Sequence, residues 1–275
     1  MSIRRKIYNV FHPIIGEIWC LHRVLPCRSC FQSNRELEIT PDYLERLIVD
    51  KISQGFRFVD LDAFVAAVEG SGREKRLVHI TFDDGFSDVF TYAYPIFIKF
   101  AIPFTYYITT DMPDGRADLW WLQLEQTADG NQKLFEELLK KIYGRGKDIA
   151  ATMHELTNSV PDSSLCEELC ITWEQLKTMV SEGLCTIGSH GVSHSAMSLL
   201  TREKAIMELR ASKTRLAEML GVEVRHYSYP HSLYSTATNE LVWEAGYQTA
   251  VVGYGGYTRS EKNKRFFYRK FIVQP

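Results

Sequence analysis

From about residue 40 onward the chain alternates short β-branched or aromatic runs with amphipathic helical stretches, and this alternation is the tightest constraint on its fold. A strand–helix–strand repeat builds parallel sheets, because each helix carries the chain back to begin the next strand in the same direction. The spacing predicts strands at 56–59, 76–82, 103–109, 184–188, 226–229, 247–252 and 266–273. Helices are expected between them at 61–68, 88–100, 201–220 and 235–245. Thr40-Pro41-Asp42 opens an earlier helix, with Thr as cap and Pro at the first helical position, which ends near Gly55. Thr172-Trp173-Glu174-Gln175 reads as a capping box opening another helix that stops at Gly183. Between 111 and about 170 the rhythm breaks into polar, charge-mixed helical stretches without a strand. These residues read as an insertion in an α/β chain whose sheet is open or closed into a barrel.

The 275 residues are 45% hydrophobic and 24% charged, enough to bury a substantial core in one domain. A formal net charge of −2 gives no electrostatic case for nucleic acid or an anionic membrane as partner. Met1 to Lys6 is basic, but Asn9, His12, Pro13 and Glu17 interrupt the apolar stretch that follows. It reads as neither signal peptide nor transmembrane helix, so a cytoplasmic location is the default expectation. Cys20, Cys27, Cys30, Cys166, Cys170 and Cys185 fit reduced thiols. Cys27 and Cys30 have metal-ligand spacing, yet no matching second pair accompanies them. No pattern fixes an oligomeric state.

Parallel sheets carry their sites at the C-terminal ends of strands, and three strand ends here share one character. VHITFDDGFSD, residues 78–88, runs apolar into Asp83 and Asp84. The second end leads into His190-Gly191-Val192-Ser193-His194, the third into Tyr229-Pro230-His231. Histidines four apart are expected on one face of a helical turn, where both reach a common ion. With one carboxylate they make a two-His, one-Asp set that leaves positions open for water and substrate. Such an ion also lets two adjacent carboxylates coexist without one being forced to protonate. His79, in mid-strand, reads as a satisfied core histidine, and His154 and His226 as surface or strand positions.

Thr81-Phe82-Asp83-Asp84-Gly85 resembles the signature of the polysaccharide deacetylases, carbohydrate esterase family four. His190 to His194 is similar to the family's second motif. Tyr227-Ser228-Tyr229-Pro230-His231-Ser232 looks like a degraded third motif, which usually ends Pro-Tyr-Gly. The resemblance runs from about residue 18 to the end of the chain. It implies a distorted (β/α) barrel of seven rather than eight strands. It also implies removal of acetyl groups from N-acetylated sugars with a divalent metal, most often zinc.

Carried over by position, Asp84, His190 and His194 are the expected metal ligands and Asp83 the general base. A backbone N–H between Tyr229 and His231 is expected to help stabilise the oxyanion. The histidine that many members carry near the C-terminus is missing. Trp19-Cys20-Leu21-His22 instead resembles the leading strand of a circularly permuted subgroup, which makes His22 the expected general acid. Ser228 stands where many members have an Arg that orients the base, a charge that Arg225 or Arg269 could supply. Gly191 replaces the usual Ser or Thr.

Tyr229, Pro230 and His231, with Trp120 and Trp121, are expected to contact the carbohydrate. The alternative for the tryptophans is that they anchor the insertion to the barrel, and Tyr254 and Tyr257 share that ambiguity. The resulting expectation is a metal-dependent N-deacetylase acting on an amino-sugar glycan. Two alternatives stand beside it: hydrolysis of a non-sugar amide, and a weakened, carbohydrate-binding protein motivated by Ser228 and His231-Ser232. A haloacid-dehalogenase-type phosphatase needs Asp-x-Asp at the start of the chain, which Asp83-Asp84 does not provide.

Overall fold

The computed structural model describes residues 12–70, 74–145 and 148–275; the basic start of the chain lies outside them. Strand β1 (Ile14–Leu21) is buried at every position after its first, as a strand must be when it is covered on both faces. Then follow β2 (Leu77–Phe82), β3 (Phe104–Ile108), β4 (Cys185–Ser189), β5 (His226–Ser228), β6 (Thr249–Val252), β7 (Phe266–Tyr268) and β8 (Lys270–Phe271). Each pairs parallel with its predecessor from β1 through β7. At Arg269 the last stretch changes partner, so that β7 lies on β6 while β8 lies on β1. The result is a distorted, nearly closed α/β barrel, whose last seam is bridged by the consecutive short strands β7 and β8. Tyr257–Arg259 adds an antiparallel edge to β1, and Arg57–Phe58 flanks β2.

In chain order the helices are α1 (Gln32–Arg35), α2 (Pro41–Ser53), α3 (Leu61–Glu69), α4 (Tyr94–Phe100), α5 (Trp120–Ala128), α6 (Gln132–Gly144), α7 (Ile149–Thr157), α8 (Ser163–Leu169), α9 (Trp173–Ser181), α10 (Arg202–Leu220) and α11 (Thr236–Glu244). The expected caps are present: Thr40 Oγ1 accepts from Tyr43 N at 3.3 Å, and Thr172 and Gln175 form a reciprocal capping box. The helix expected over 88–100 is not continuous. Val89–Ala93 winds as a wide π-turn before α4 begins, because Pro95 has no N–H and its ring crowds the carbonyl one turn earlier. Helices α5 to α8 fill the expected excursion between β3 and α9. Among the described residues no helix is long and apolar enough to cross a membrane.

Side-chain alternation divides the core into two layers. Val78, Ile80 and Phe82 of β2 point outward and pack with Phe97, Phe104 and Tyr106 under the helices. Ile18, Tyr107, Val251 and Phe267 point inward and meet Leu61 and Phe64 of α3, which covers the N-terminal end of the barrel. His79 belongs to this interior, bonded to Val59 O at 2.8 Å and Thr105 Oγ1 at 2.9 Å, a satisfied core histidine as expected. Above that plug the inward positions turn polar: Thr81, Asp83, Ser228 and Arg269 are all buried.

The barrel is tight where glycines permit it. A Cβ at Gly16 would sit 1.9 Å from the Leu77 carbonyl oxygen, in the backbone of the neighbouring strand. Gly16→Ala is therefore expected to force β1 from β2 and destabilise the protein by about 1–3 kcal/mol. Gly144→Ala, with open space around it at the end of α6, should leave stability equal or slightly higher. Thermal denaturation of the two variants against the parent checks both.

Candidate active site

Asp83 and Asp84 leave β2 in a backbone that few other residues tolerate. Asp84 has φ +79° and Gly85 φ +137°, so the chain reverses within two residues, and Asp is among the side chains that best accept such a turn. Asp83 N donates to Leu21 O at 3.1 Å, and Asp84 O accepts from Thr109 N at 2.7 Å, pinning the turn to β1 and to the end of β3. Both carboxylates are buried over the C-terminal mouth of the barrel.

Asp84 Oδ1 lies 3.4 Å from His190 Nε2 and 3.2 Å from His194 Nε2. That oxygen is buried and accepts no hydrogen bond. His190 Nδ1 meets the Ser228 carbonyl at 2.8 Å. A carbonyl can only accept, so a hydrogen sits on Nδ1, and Nε2 is the nitrogen turned toward Asp84. Burial alone would push the Asp84 carboxyl up, but the imidazoles of His190 and His194 hold it well below the usual carboxylate range. Burial likewise disfavours charge on His190, and Asp83 and Asp84 outweigh it and raise its pKa.

The two histidines do not share a helical turn. His190 N donates to Ile108 O at 2.9 Å, prolonging the sheet, and the chain then loops with Gly191 at φ +83° and His194 at φ +58°. Glu208 of α10 shapes this loop, accepting from Val192 N at 2.7 Å, Ser193 N at 3.1 Å and Ser193 Oγ at 2.8 Å. A Cβ at residue 191 would stand 3.1 Å from Glu208 Oε2, in a left-handed backbone. Glycine is the residue that fits both conditions.

Asp83 faces a different partner. Arg269 grips it with Nη1 to Oδ1 and Nη2 to Oδ2, both at 2.6 Å, and Ser228 Oγ donates to Oδ2 at 3.0 Å. The same guanidinium reaches Thr81 Oγ1 and Ser228 Oγ, each at 3.0 Å. Burial works to raise the Asp83 pKa, and Arg269, then His190, reverse it to a net lowering. Of the two arginines considered for this charge, Arg269 is the one in place. Arg225 lies at the opposite end of β5, paired with Asp62 of α3.

His22 follows β1 directly and lines the same cavity as Asp83 and Asp84. Its ring leans on Phe271 at 5.3 Å, and its Nδ1 is buried without a partner. Burial lowers its pKa against the pull of Asp84 and Asp83. Next in sequence, Arg23 binds Asp88 Oδ2 at 2.8 Å and lies 4.2 Å over Phe86, while Val24 N donates to Asp88 Oδ1 at 2.9 Å. This clamp ties the His22 segment to the Asp83–Asp84 turn. Sequence reasoning assigned Asp88 to a helix start; the only signal was an Arg beside His22 and an Asp closing the motif.

Among the described residues, two groups of side chains have metal-ligand chemistry with ligand atoms within 4.8 Å of one another: Asp84, His190, His194, and Cys20, His22, Asp83. Only the first suits a cation. Its carboxylate offers an unpartnered oxygen, whereas both Asp83 oxygens accept from a guanidinium whose charge would oppose an ion. The six cysteines are free, with Cys166 and Cys170 packed Sγ to Sγ at 3.1 Å.

Above this floor a cavity of about 580 Å³ opens. Trp120 is 4% exposed and buried among α5 to α7, and Trp121 lies 5.2 Å from the His194 ring. Both tryptophans line the cavity and both pack within the helical excursion. Tyr229 borders the cavity with its hydroxyl bonded to Asn239 Oδ1 at 2.7 Å. Pro230 is buried and does not line it. His231, at φ +57°, presents its ring 4.5 Å from His194 and meets the Tyr143 hydroxyl at 3.1 Å.

Residues 70–250, more than half of the chain, match the model of the polysaccharide deacetylase family, and the chain belongs to that family. YxkH of Bacillus subtilis (strain 168), named for the same family, is 24% identical over 177 residues, which cover 64% of this chain and 44% of that protein. The chain thus matches less than half the length of this curated relative. The barrel recurs in the deacetylase PplD of Streptococcus pyogenes, solved with acetate, at TM-score 0.67 and 18% identity over 95% of this chain and 93% of that one. IcaB of Ammonifex degensii superposes at TM-score 0.66 and 20% identity over 94% and 92% of the two chains. At these identities the likeness establishes the fold.

Arg269→Met leaves a buried carboxylate without a counter-charge and is expected to destabilise the protein by about 3–5 kcal/mol. Adding Asp83→Asn should recover part of that loss, since the orphaned charge is then removed. Arg269→Lys should remain destabilised, because an ammonium cannot reproduce the two parallel bonds. Urea denaturation of these three variants, the parent and Asp83→Asn alone measures the coupling.

Proposed function

We propose that this chain is a metal-dependent hydrolase that removes N-acetyl groups from an amino-sugar-containing glycan or glycoconjugate. The observation that carries this reading is the buried, unpartnered Asp84 oxygen facing two imidazole Nε2 atoms, beside a second carboxylate that Arg269 keeps ionised. The family to which the chain belongs supports deacetylation, and the donor set supports a cation. We read the chain as one barrel domain with α5 to α8 as its insertion.

Asp84, His190 and His194 would hold the ion, and a two-imidazole, one-carboxylate set suits zinc. Bound there, it would supply Lewis acidity for an acetamido carbonyl and make a water more acidic. Asp83 holds the proton taken from the attacking water. Its lowered pKa keeps it in the accepting form, so the drive for transfer must come from the acidity of the water.

Of the three backbone amides considered for the oxyanion, Tyr229 N is bonded to Val251 O at 3.2 Å and Pro230 has no N–H. That leaves His231 N as the donor. His22, which lines the cavity beside Asp83, would pass a proton to the departing amine after taking one up, since its lowered pKa leaves the resting ring neutral. Ser228, whose departure from the family pattern motivated a binding-only protein, is part of the Arg269 grip on Asp83, which supports the hydrolase.

Metal-stripped protein titrated with zinc should bind one ion, with affinity reduced about tenfold or more in Asp84→Asn and His194→Ala. Asp83→Asn should retain the ion and abolish acetate release from N-acetylglucosamine oligomers. Zinc binding indifferent to Asp84 and His194 would overturn the site. Sugar binding without acetate from any oligomer would favour the carbohydrate-binding protein.

A further inference from the structure

Specific contacts join many of the residues that wall the cavity. On the side of the helical excursion, Trp120 meets Tyr143 at 6.2 Å, and the Tyr143 hydroxyl bonds His231 Nδ1 at 3.1 Å. Beyond His231, Ser232 Oγ accepts from Gly253 N at 2.9 Å. Tyr254 then stacks on Phe271 with ring planes 8° apart at 6.4 Å. From Phe271 the chain reaches Gln274, whose carbonyl accepts from Arg28 Nη2 at 2.6 Å and whose Oε1 accepts from Thr40 N at 2.7 Å.

The segment that begins at Arg28 backs the remaining arc, where Ser33, Asn34, Glu36 and Leu37 face the cavity. Phe31 stacks on Phe135 of α6 at 4.7 Å, and Gln32 N donates to Gln132 Oε1 at 3.1 Å. Asn34 Nδ2 donates to Trp121 O at 3.4 Å, which leads back to the helical excursion. The pit has Asp83, Asp84, His190 and His194 at its floor.

A polymer deacetylated at internal residues must lie across the site with chain leaving in both directions, which requires a groove open at two ends. Among the described residues, Asn34, Trp121, Trp120, Tyr143 and His231 are joined contact to contact along one flank, which leaves a polymer no way out on that side of the pit. Its volume of about 580 Å³ falls within the roughly 300–1,000 Å³ of pockets that enclose compact ligands. The rim between floor and solvent carries Leu37, Leu139, Leu233 and Phe271 and gives few charged groups to follow a polysaccharide.

We infer that the protein acts on the terminal residue of its glycan or on a short saccharide conjugate, entered end-on, and not on internal residues of a long chain. The inference rests on the deacetylase reading above and narrows its substrate class. Tyr143 and His231 are the specificity-determining pair, because their hydrogen bond is the link that joins the excursion to the third-motif loop.

Zinc-loaded protein is incubated with N-acetylglucosamine oligomers of two to six residues and with long poly-N-acetylglucosamine, and the products are sequenced by tandem mass spectrometry. The expected result is one acetyl group lost per oligomer, at one terminal residue, with the polymer turned over at least about tenfold more slowly per acetyl group. Acetyl loss from internal residues by the unaltered protein overturns the inference while leaving deacetylation intact. Tyr143→Ala, which removes a half-exposed side chain and opens the wall, should gain internal deacetylation. A site pattern unchanged by that substitution overturns the role given to the pair.

Binding of zinc-loaded Asp83→Asn to the same polymer, followed by analytical ultracentrifugation, separates the two readings. One protein per chain end supports end-on entry even where no acetate is released, and many proteins per chain overturn it.

Discussion

The ion pair between Arg269 and Asp83 is the interaction on which the functional end of this barrel depends. Its guanidinium and carboxylate are both buried, and their two parallel bonds leave neither in contact with solvent. A pair of this kind adds little net stability over an apolar pair, because desolvation offsets the attraction, but removing one partner is severe. Its value lies in what it organises. The same guanidinium reaches Thr81 on β2 and Ser228 on β5, drawing three staves toward one point directly beneath Asp84.

From that point the site is held in nested layers. Ser228 orients Asp83 through its hydroxyl and His190 through its carbonyl, so one residue holds both the carboxylate and the imidazole. Glu208 fixes the loop that delivers His194, and Arg23 with Asp88 fixes the segment that delivers His22. Charges close to the reacting atoms are thus buried and paired, while the Asp84 oxygen is left unsatisfied. An unsatisfied buried carboxylate oxygen is costly unless something cationic completes it. The asymmetry between the adjacent aspartates is their division of labour, written in hydrogen bonds.

Much of the architecture was legible in local patterning. The strand positions followed from β-branched runs, and the helix starts from Thr40 and Thr172, since these signals act within a few residues. The acidic doublet and the paired histidines were also visible, because strand ends concentrate such residues in parallel sheets. What local sequence could not show depends on partners far away in the chain. His190 and His194 looked helical by spacing, but Gly191 and Glu208 impose a loop. Arg269 and Arg225 were equally eligible until the barrel placed one at each end of β5. The Arg23–Asp88 clamp and the wall from Tyr143 to His231 join residues that nothing in their own neighbourhoods distinguishes.

The position of Arg269 at the switch between β7 and β8 has a consequence for assembly. In chain order it follows every other stave, and the strand it leads into is the one that seals against β1. A chain assembled only as far as β6 would carry Asp83 beside an unsealed seam between β6 and β1, without its Arg269 counter-charge. Sealing the last seam and giving Asp83 its counter-charge are therefore tied to the same short stretch of chain.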